Sequence, residues 1–223
     1  MADVKAFQET VKKGDLAAVR AALGEDPELL EATNDAGQSA FVLAKYYRRD
    51  AIAEYLLSLN PKLDIFSLSI AGRTAEAMKE IDRDAALFAA HSVDGWTPLH
   101  LAAFFGHADL ANALLERGAQ VDIRSSNAMN NTPLHAASAG GQLALVELLL
   151  KRGANPNATQ EGGWTALHGA AQAGQRGMVE ALLASGADVN LRAGNQQTPL
   201  DMALIKGHQE VVAILEALGS GGG

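Results

Sequence analysis

Three histidines recur at a regular interval: His100, His135 and His168 stand 35 and 33 residues apart. Imidazole titrates near neutral pH and is the commonest nitrogen ligand of metals, so such a set suggests first a metal site or a row of general bases. Little else in the chain supports that chemistry. There is no cysteine, which removes thiolate nucleophiles, sulfur-ligated zinc and disulfides together. No Gly-x-Ser-x-Gly elbow and no His-Glu-x-x-His helix occurs. Gly140-Gly141 and Gly162-Gly163 lack the strand before and the lysine-bearing helix after that a phosphate loop needs, and they suit turns. Acidic residues gather at Asp64, Glu76, Glu80, Asp82 and Asp84, which suits a solvated helix better than a ligand site.

The elements that would position the histidines are legible because each histidine ends a recurring motif. Thr97-Pro98-Leu99-His100, Thr132-Pro133-Leu134-His135, Thr165-Ala166-Leu167-His168 and Thr198-Pro199-Leu200-Asp201 begin 35, 33 and 33 residues apart. Counting each threonine as one, the tenth residue is a break, and this marker extends towards the N-terminus. The series is Gly14, Arg48, Gly72, Gly106, Gly141, Gly174 and Gly207, with steps of 34, 24, 34, 35, 33 and 33. About seven repeats fit, with one short step.

Threonine suits a helix N-cap and proline the first helical position, so Leu99 to Phe105 is expected to form a short apolar helix that Gly106 ends. A second helix follows over Ala108 to Arg117, with Leu110, Ala113 and Leu114 at helical spacing and Gly118 placed for a left-handed C-cap. Gly153 and Gly186 repeat that placement. Leu114, Leu115, Leu148, Leu149, Leu182, Leu183 and Leu215 on these second helices are expected to be core. Polar connectors such as Val121 to Asn131 and Val189 to Gln197 suit extended fingers with tight turns.

These motifs resemble the ankyrin-repeat family, whose unit is a β-turn and two antiparallel helices marked by a Thr-Pro-Leu-His tetrad. The resemblance is specific from Asp94 to Leu218. It is weaker before that, where Ser39-Ala40-Phe41-Val42 replaces the tetrad and the unit at Ile65 to Ile81 has none. It implies an all-α fold of helix-turn-helix repeats with β-turn fingers, an ankyrin-repeat solenoid. One domain is expected over 1–218, with a capping repeat at about 2–33, irregular repeats at about 34–90 and regular ones at about 91–218. Residues 219–223, Gly-Ser-Gly-Gly-Gly, are expected to be a flexible tail. The step of 24 predicts a missing finger around Leu59 to Asp64, and the two extra residues between Val121 and Thr132 predict a protruding finger at Arg124 to Asn131. Lys5, Gln8, Glu9 and Lys12 look like the polar outer face of one end, and Gln209, Glu210 and Glu216 of the other.

In stacked repeats the three histidines lie about 10 Å apart, the packing distance of helices, and cannot share one ion at about 2 Å. The resemblance implies that each links neighbouring fingers by a hydrogen bond. His107 and His208 share a slot after the break glycine and have the same structural reading, while His91 stands alone. No catalytic residue, metal site or cofactor is expected, and the chain is not read as an enzyme. Its 26 acidic and 18 basic residues give a net charge of −8, so neither nucleic acid nor an anionic membrane is an expected partner. With no secretory signal and no apolar run of membrane-spanning length, a cytoplasmic, monomeric protein is expected, self-association being the alternative.

The aromatic residues carry the functional clue, because there are only 11 in 223 residues. Ankyrin proteins contact partners through a concave surface of finger tips and first-helix ends. Those slots hold Trp96, Trp164, Tyr46, Tyr47, Phe104 and Phe105 here, with the pairs before Arg48 and Gly106 expected on one face. Large aromatics beside arginines make binding hot spots, which brings in Arg48, Arg49 and Arg124. Met129 in the long finger is a further candidate contact. The expected partner is therefore a protein, bound by an adaptor, inhibitor or immunity-type binder.

Overall fold

In the computed structural model, which describes residues 3–219, the chain is all helical with short connections. The helices are α1 (Val4–Lys13), α2 (Leu16–Glu25), α3 (Ala40–Tyr46), α4 (Asp50–Ser58), α5 (Ile65–Ala71), α6 (Thr74–Arg83), α7 (Pro98–Phe105), α8 (Ala108–Glu116), α9 (Pro133–Ala139), α10 (Leu143–Lys151), α11 (Ala166–Gln172), α12 (Arg176–Ala184), α13 (Pro199–Lys206) and α14 (Gln209–Gly219). Among the described residues there is no extended strand, only isolated bridges at Thr33 with Ser39 and Thr159 with Thr165. Contacts divide the chain into two compact units, Met1–Ala71 and Gly72–Gly223.

Local chemistry sets the start of the first helix of several pairs. The Thr97 hydroxyl accepts from the His100 backbone N–H, the His100 ring accepts from the Thr97 N–H, and Pro98 opens α7 where its missing N–H costs nothing. Thr165 and Thr198 make the same cap on α11 and α13, and Ser39 caps α3 through the Val42 N–H. Every residue of the break series has a positive φ, from 54° at Arg48 to 85° at Gly14 and Gly106. Six are glycines, which adopt this left-handed conformation without strain; Arg48 is the exception. Gly118, Gly153 and Gly186 are likewise left-handed, as expected of C-caps.

In the second unit, α7, α9, α11 and α13 pack in succession as one layer, and α6, α8, α10, α12 and α14 as another. The core lies between them. Leu110, Ala111 and Leu114 of α8 are buried, as are Leu145, Val146 and Leu149 of α10 and Met178, Val179 and Leu182 of α12. This corrects the leucine pairs: Leu115, Leu148 and Leu183 are only half-buried. A step of one residue turns a helix by about 100°, so the core stripe runs i, i+1, i+4 and leaves i+3 and i+5 at its edges, Leu148 being an i+3 residue and Leu115 and Leu183 i+5 residues. Ala113 is at the edge too.

In the first unit α1 packs on α2 and α3, α3 on α4 and α5, and α2 on α4. Only residues 59–64 join α4 to α5, whereas 152–165 join α10 to α11, so the finger is absent where the short step placed it. The longer finger bulges at Asn127–Asn130, closed by the Asn130 N–H donating to the Asn127 carbonyl, with Asn130 left-handed at φ 45°. Gly219 closes α14 and does not begin the tail; residues 220–223 lie outside the described residues.

Candidate functional site

The histidines are bolts between adjacent fingers and helices. Nε2–H of His100 donates to the Asn131 carbonyl at 3.0 Å, that of His135 to Trp164 at 3.1 Å, and that of His168 to Gln197 at 3.2 Å. A carbonyl can only accept, which puts the proton on Nε2 and leaves Nδ1 to accept from the threonine hydroxyl, 2.8 Å away at His100. Both nitrogens are used, and none is left to bind an ion or take a proton from a substrate. Burial pushes His100 and His135 down to about 4, against the smaller opposing effect of the carbonyl bond, and lowers His168.

The same slot, six residues before each break, explains residues that look unrelated in sequence. Gln8 fills it in α1, is buried, and donates its side-chain N–H to the Gln38 carbonyl at 3.2 Å. This corrects its assignment to the polar outer face, on which Lys5 and Glu9 do stand exposed. Val42 fills the slot in α3, where the next connection has no finger carbonyl to bind. Asp201, an acceptor only, fills it in α13 and bonds the Thr198 N–H and hydroxyl at 2.8 and 2.9 Å.

A second recurring device was not read from sequence. The residue after the break reaches back to a carbonyl that the preceding first helix leaves without an intrahelical partner. Arg49 Nε donates to Lys12 O at 2.7 Å, Gln142 Nε2 to Phe104 O at 3.3 Å, and His208 Nε2 to Gln172 O at 3.0 Å. These side chains lie over the break glycines so closely that a Cβ on Gly174 would sit 2.5 Å from His208 Nδ1, and one on Gly106 2.6 Å from Gln142 Oε1. The available signal was a long donor side chain after successive breaks.

Three of the candidate aromatics come together. Trp96 meets Phe104 edge-to-face, ring centres 5.5 Å apart and planes at 84°, and Phe104 meets Phe105 at 5.1 Å and 80°. All three are half-buried. Trp96 also meets the edge of the buried His100 ring at 5.8 Å, which fixes the inner end of the row. Beside it Gly140 is so close that a Cβ would lie 2.2 Å from the Phe104 carbonyl oxygen.

Trp164 leans on His168 at 5.6 Å and stands apart from that row. Met129 lies on the finger between the two tryptophan-bearing ones and is 48 % exposed. Its finger is tied on both sides: Ser126 N–H donates to Gly95 O, and Glu161 N–H donates to Met129 O at 2.8 Å. Arg124 donates to Asn130 O and Thr159 O, and Arg49 to Lys12 O, so each guanidinium already holds neighbouring backbone in place. His91 also has a partner, the Arg124 carbonyl.

In the first unit Tyr47 and Arg48 are exposed and Tyr46 half-buried. The Lys12 ammonium stands 5.8 Å above the Tyr47 ring, a cation–π contact.

The acidic residues have local partners. Asp64 caps α5 through the Ser67 N–H, Glu76 pairs with Arg73, Glu80 with Arg83 and Asp82 with Arg117, and Asp84 accepts from the Ala86 N–H. Among the described residues no three His, Asp or Glu side chains converge as a metal site would require, and no helix is long and apolar enough to cross a membrane.

Paired helices, left-handed breaks and fingers bolted by histidine define a stacked repeat protein. The family model for ankyrin repeats matches residues 7–125, 76–160, 121–193 and 141–220, and the chain belongs to the ankyrin-repeat family. It is 38 % identical over 56 residues to an ankyrin repeat-containing protein of Schizosaccharomyces pombe. That stretch covers 25 % of this chain and 27 % of the yeast protein, so the match spans about a quarter of the relative's length.

Proposed function

We propose that this ankyrin-repeat chain works by binding a folded protein partner, as an adaptor, inhibitor or immunity-type protector, and not by turnover. Protein–protein interaction is the general role of its family. The observation that carries the assignment to a place is the row Trp96–Phe104–Phe105: three large rings in successive edge-to-face contact, each partly open to solvent. Such rings bring much area to an interface at little entropic cost because their neighbours already hold them. Met129 and Trp164 extend the contact along the fingers, and Tyr46, Tyr47 and Arg48 form a further contact in the first unit.

Phe104→Ala tests this assignment. Capture of the partner from lysate should fall while the melting curve moves little; equal losses of binding and stability would make the ring structural.

Self-association is a second reading, favoured by one observation. Leu204, Ile205 and Leu218 in the last helix pair are 50, 63 and 52 % exposed. Light scattering across a concentration series separates the two, since a dimer built on the adjacent Leu204 and Ile205 would dissociate on dilution and a Leu204→Glu variant would stay monomeric.

A further inference from the structure

Helix α7 ends at Phe105, so the Phe104 carbonyl has no N–H one turn ahead to receive. Two residues of the following helix pair close on that oxygen. The Gln142 side-chain amide donates to it at 3.3 Å, and Gly140, having no Cβ, lets the α9 backbone pass where a methyl carbon would lie 2.2 Å from it. The same carbonyl belongs to the residue whose ring joins Trp96 to Phe105.

We infer that Gln142 is a positioning residue for the aromatic row: its amide, with Gly140 as the stop behind it, fixes the end of α7 and so sets the pose in which Phe104 and Trp96 are offered to a partner. Its meaning for binding rests on the function proposed above. The geometry explains why the slot tolerates different chemistry elsewhere: Arg49 and His208 make the equivalent bond to Lys12 O and Gln172 O, so what the slot requires is an N–H donor of sufficient reach. Pre-set rings lose less freedom on association, which is how a residue outside the contact alters affinity.

The test needs no partner. With Trp164→Phe, Trp96 becomes the sole tryptophan, and its emission and near-ultraviolet circular dichroism report the row directly. In that background Gln142→Glu keeps the shape but removes the donor; Trp96 emission should shift to the red, acrylamide should quench it more readily, and the near-ultraviolet signal should weaken. Gln142→His should restore all three, because histidine does this work at position 208. Gly140→Ala should reproduce the red shift by pushing the carbonyl. Gln175→Glu, the same change one repeat further on, should leave Trp96 unchanged. An unaltered spectrum in Gln142→Glu, no restoration by Gln142→His, or an equal shift in Gln175→Glu would overturn the inference. Because the signal is intrinsic, the positioning role can hold while Phe104→Ala leaves partner capture intact, and the reverse, so the two claims fail separately.

Discussion

The side-chain amide of Gln8 donates to the backbone carbonyl of Gln38 across 3.2 Å, and it thereby does at the first helix pair what His100 does for Asn131. One geometric requirement, a buried donor facing the next finger, is met by glutamine once and by histidine three times. Only the histidines titrate, and that difference sets the pH behaviour.

Unfolded histidine has a pKa near 6.5, whereas His100 and His135 are held at about 4 in the fold. Between those values the unfolded chain binds more protons than the folded one, so stability is full above pH 6.5 and is lost as pH falls towards 4. Within the window each such histidine should remove about 1.4 kcal/mol per pH unit. Urea midpoints from pH 7.5 to 4.5 measure the slope, and His100→Gln, copying the bond of Gln8, should flatten it.

Gly174 and Gly186 separate backbone strain from crowding. Both are left-handed, at φ 66° and 88°, but a Cβ on Gly174 meets His208 Nδ1 at 2.5 Å and one on Gly186 meets nothing. Gly186→Ala should cost about 1–2 kcal/mol for the conformation alone. Gly174→Ala should cost more, because His208 must also give up the Gln172 carbonyl. Equal losses in chemical denaturation would contradict the crowding.

Leu149 is fully buried and Leu148 only half-buried on the same helix. Leu149→Ala should cost about 2–5 kcal/mol and Leu148→Ala distinctly less, measured as shifts in denaturation midpoint.

Much of the fold was legible because ankyrin-type repeats write their boundaries locally. Threonine caps, proline at the first turn and glycine at left-handed positions have effects within a few residues, so Thr97 to Gly106 could be read without knowing what packs on it. The missing finger before Ile65 and the bulged one near Met129 followed from counting alone. Gln8, Arg49, Arg124 and Gln142 were not legible in this way. Each is a polar side chain whose partner is a backbone carbonyl about 30 to 40 residues away, and nothing in its own neighbourhood distinguishes such a group from solvated surface. One leucine of each pair, Leu115, Leu148 and Leu183, was misplaced because helical periodicity gives the stripe but not its edge. For the aromatics, sequence gave slots; the edge-to-face row of Trp96, Phe104 and Phe105 needed coordinates, and Trp164 turned out to stand apart from it.

Site-specific photocrosslinking asks whether the proposed contact row of Trp96, Phe104 and Phe105 touches a protein partner. A photoreactive phenylalanine analogue is placed at Phe104 in one variant and at exposed Glu147 on α10 in another, and both are irradiated in the native cell. A discrete protein adduct is expected from position 104, diminished by Trp96→Ala, and none from position 147. Adducts of equal yield at both positions, or an adduct at 147 alone, would contradict the proposed contact.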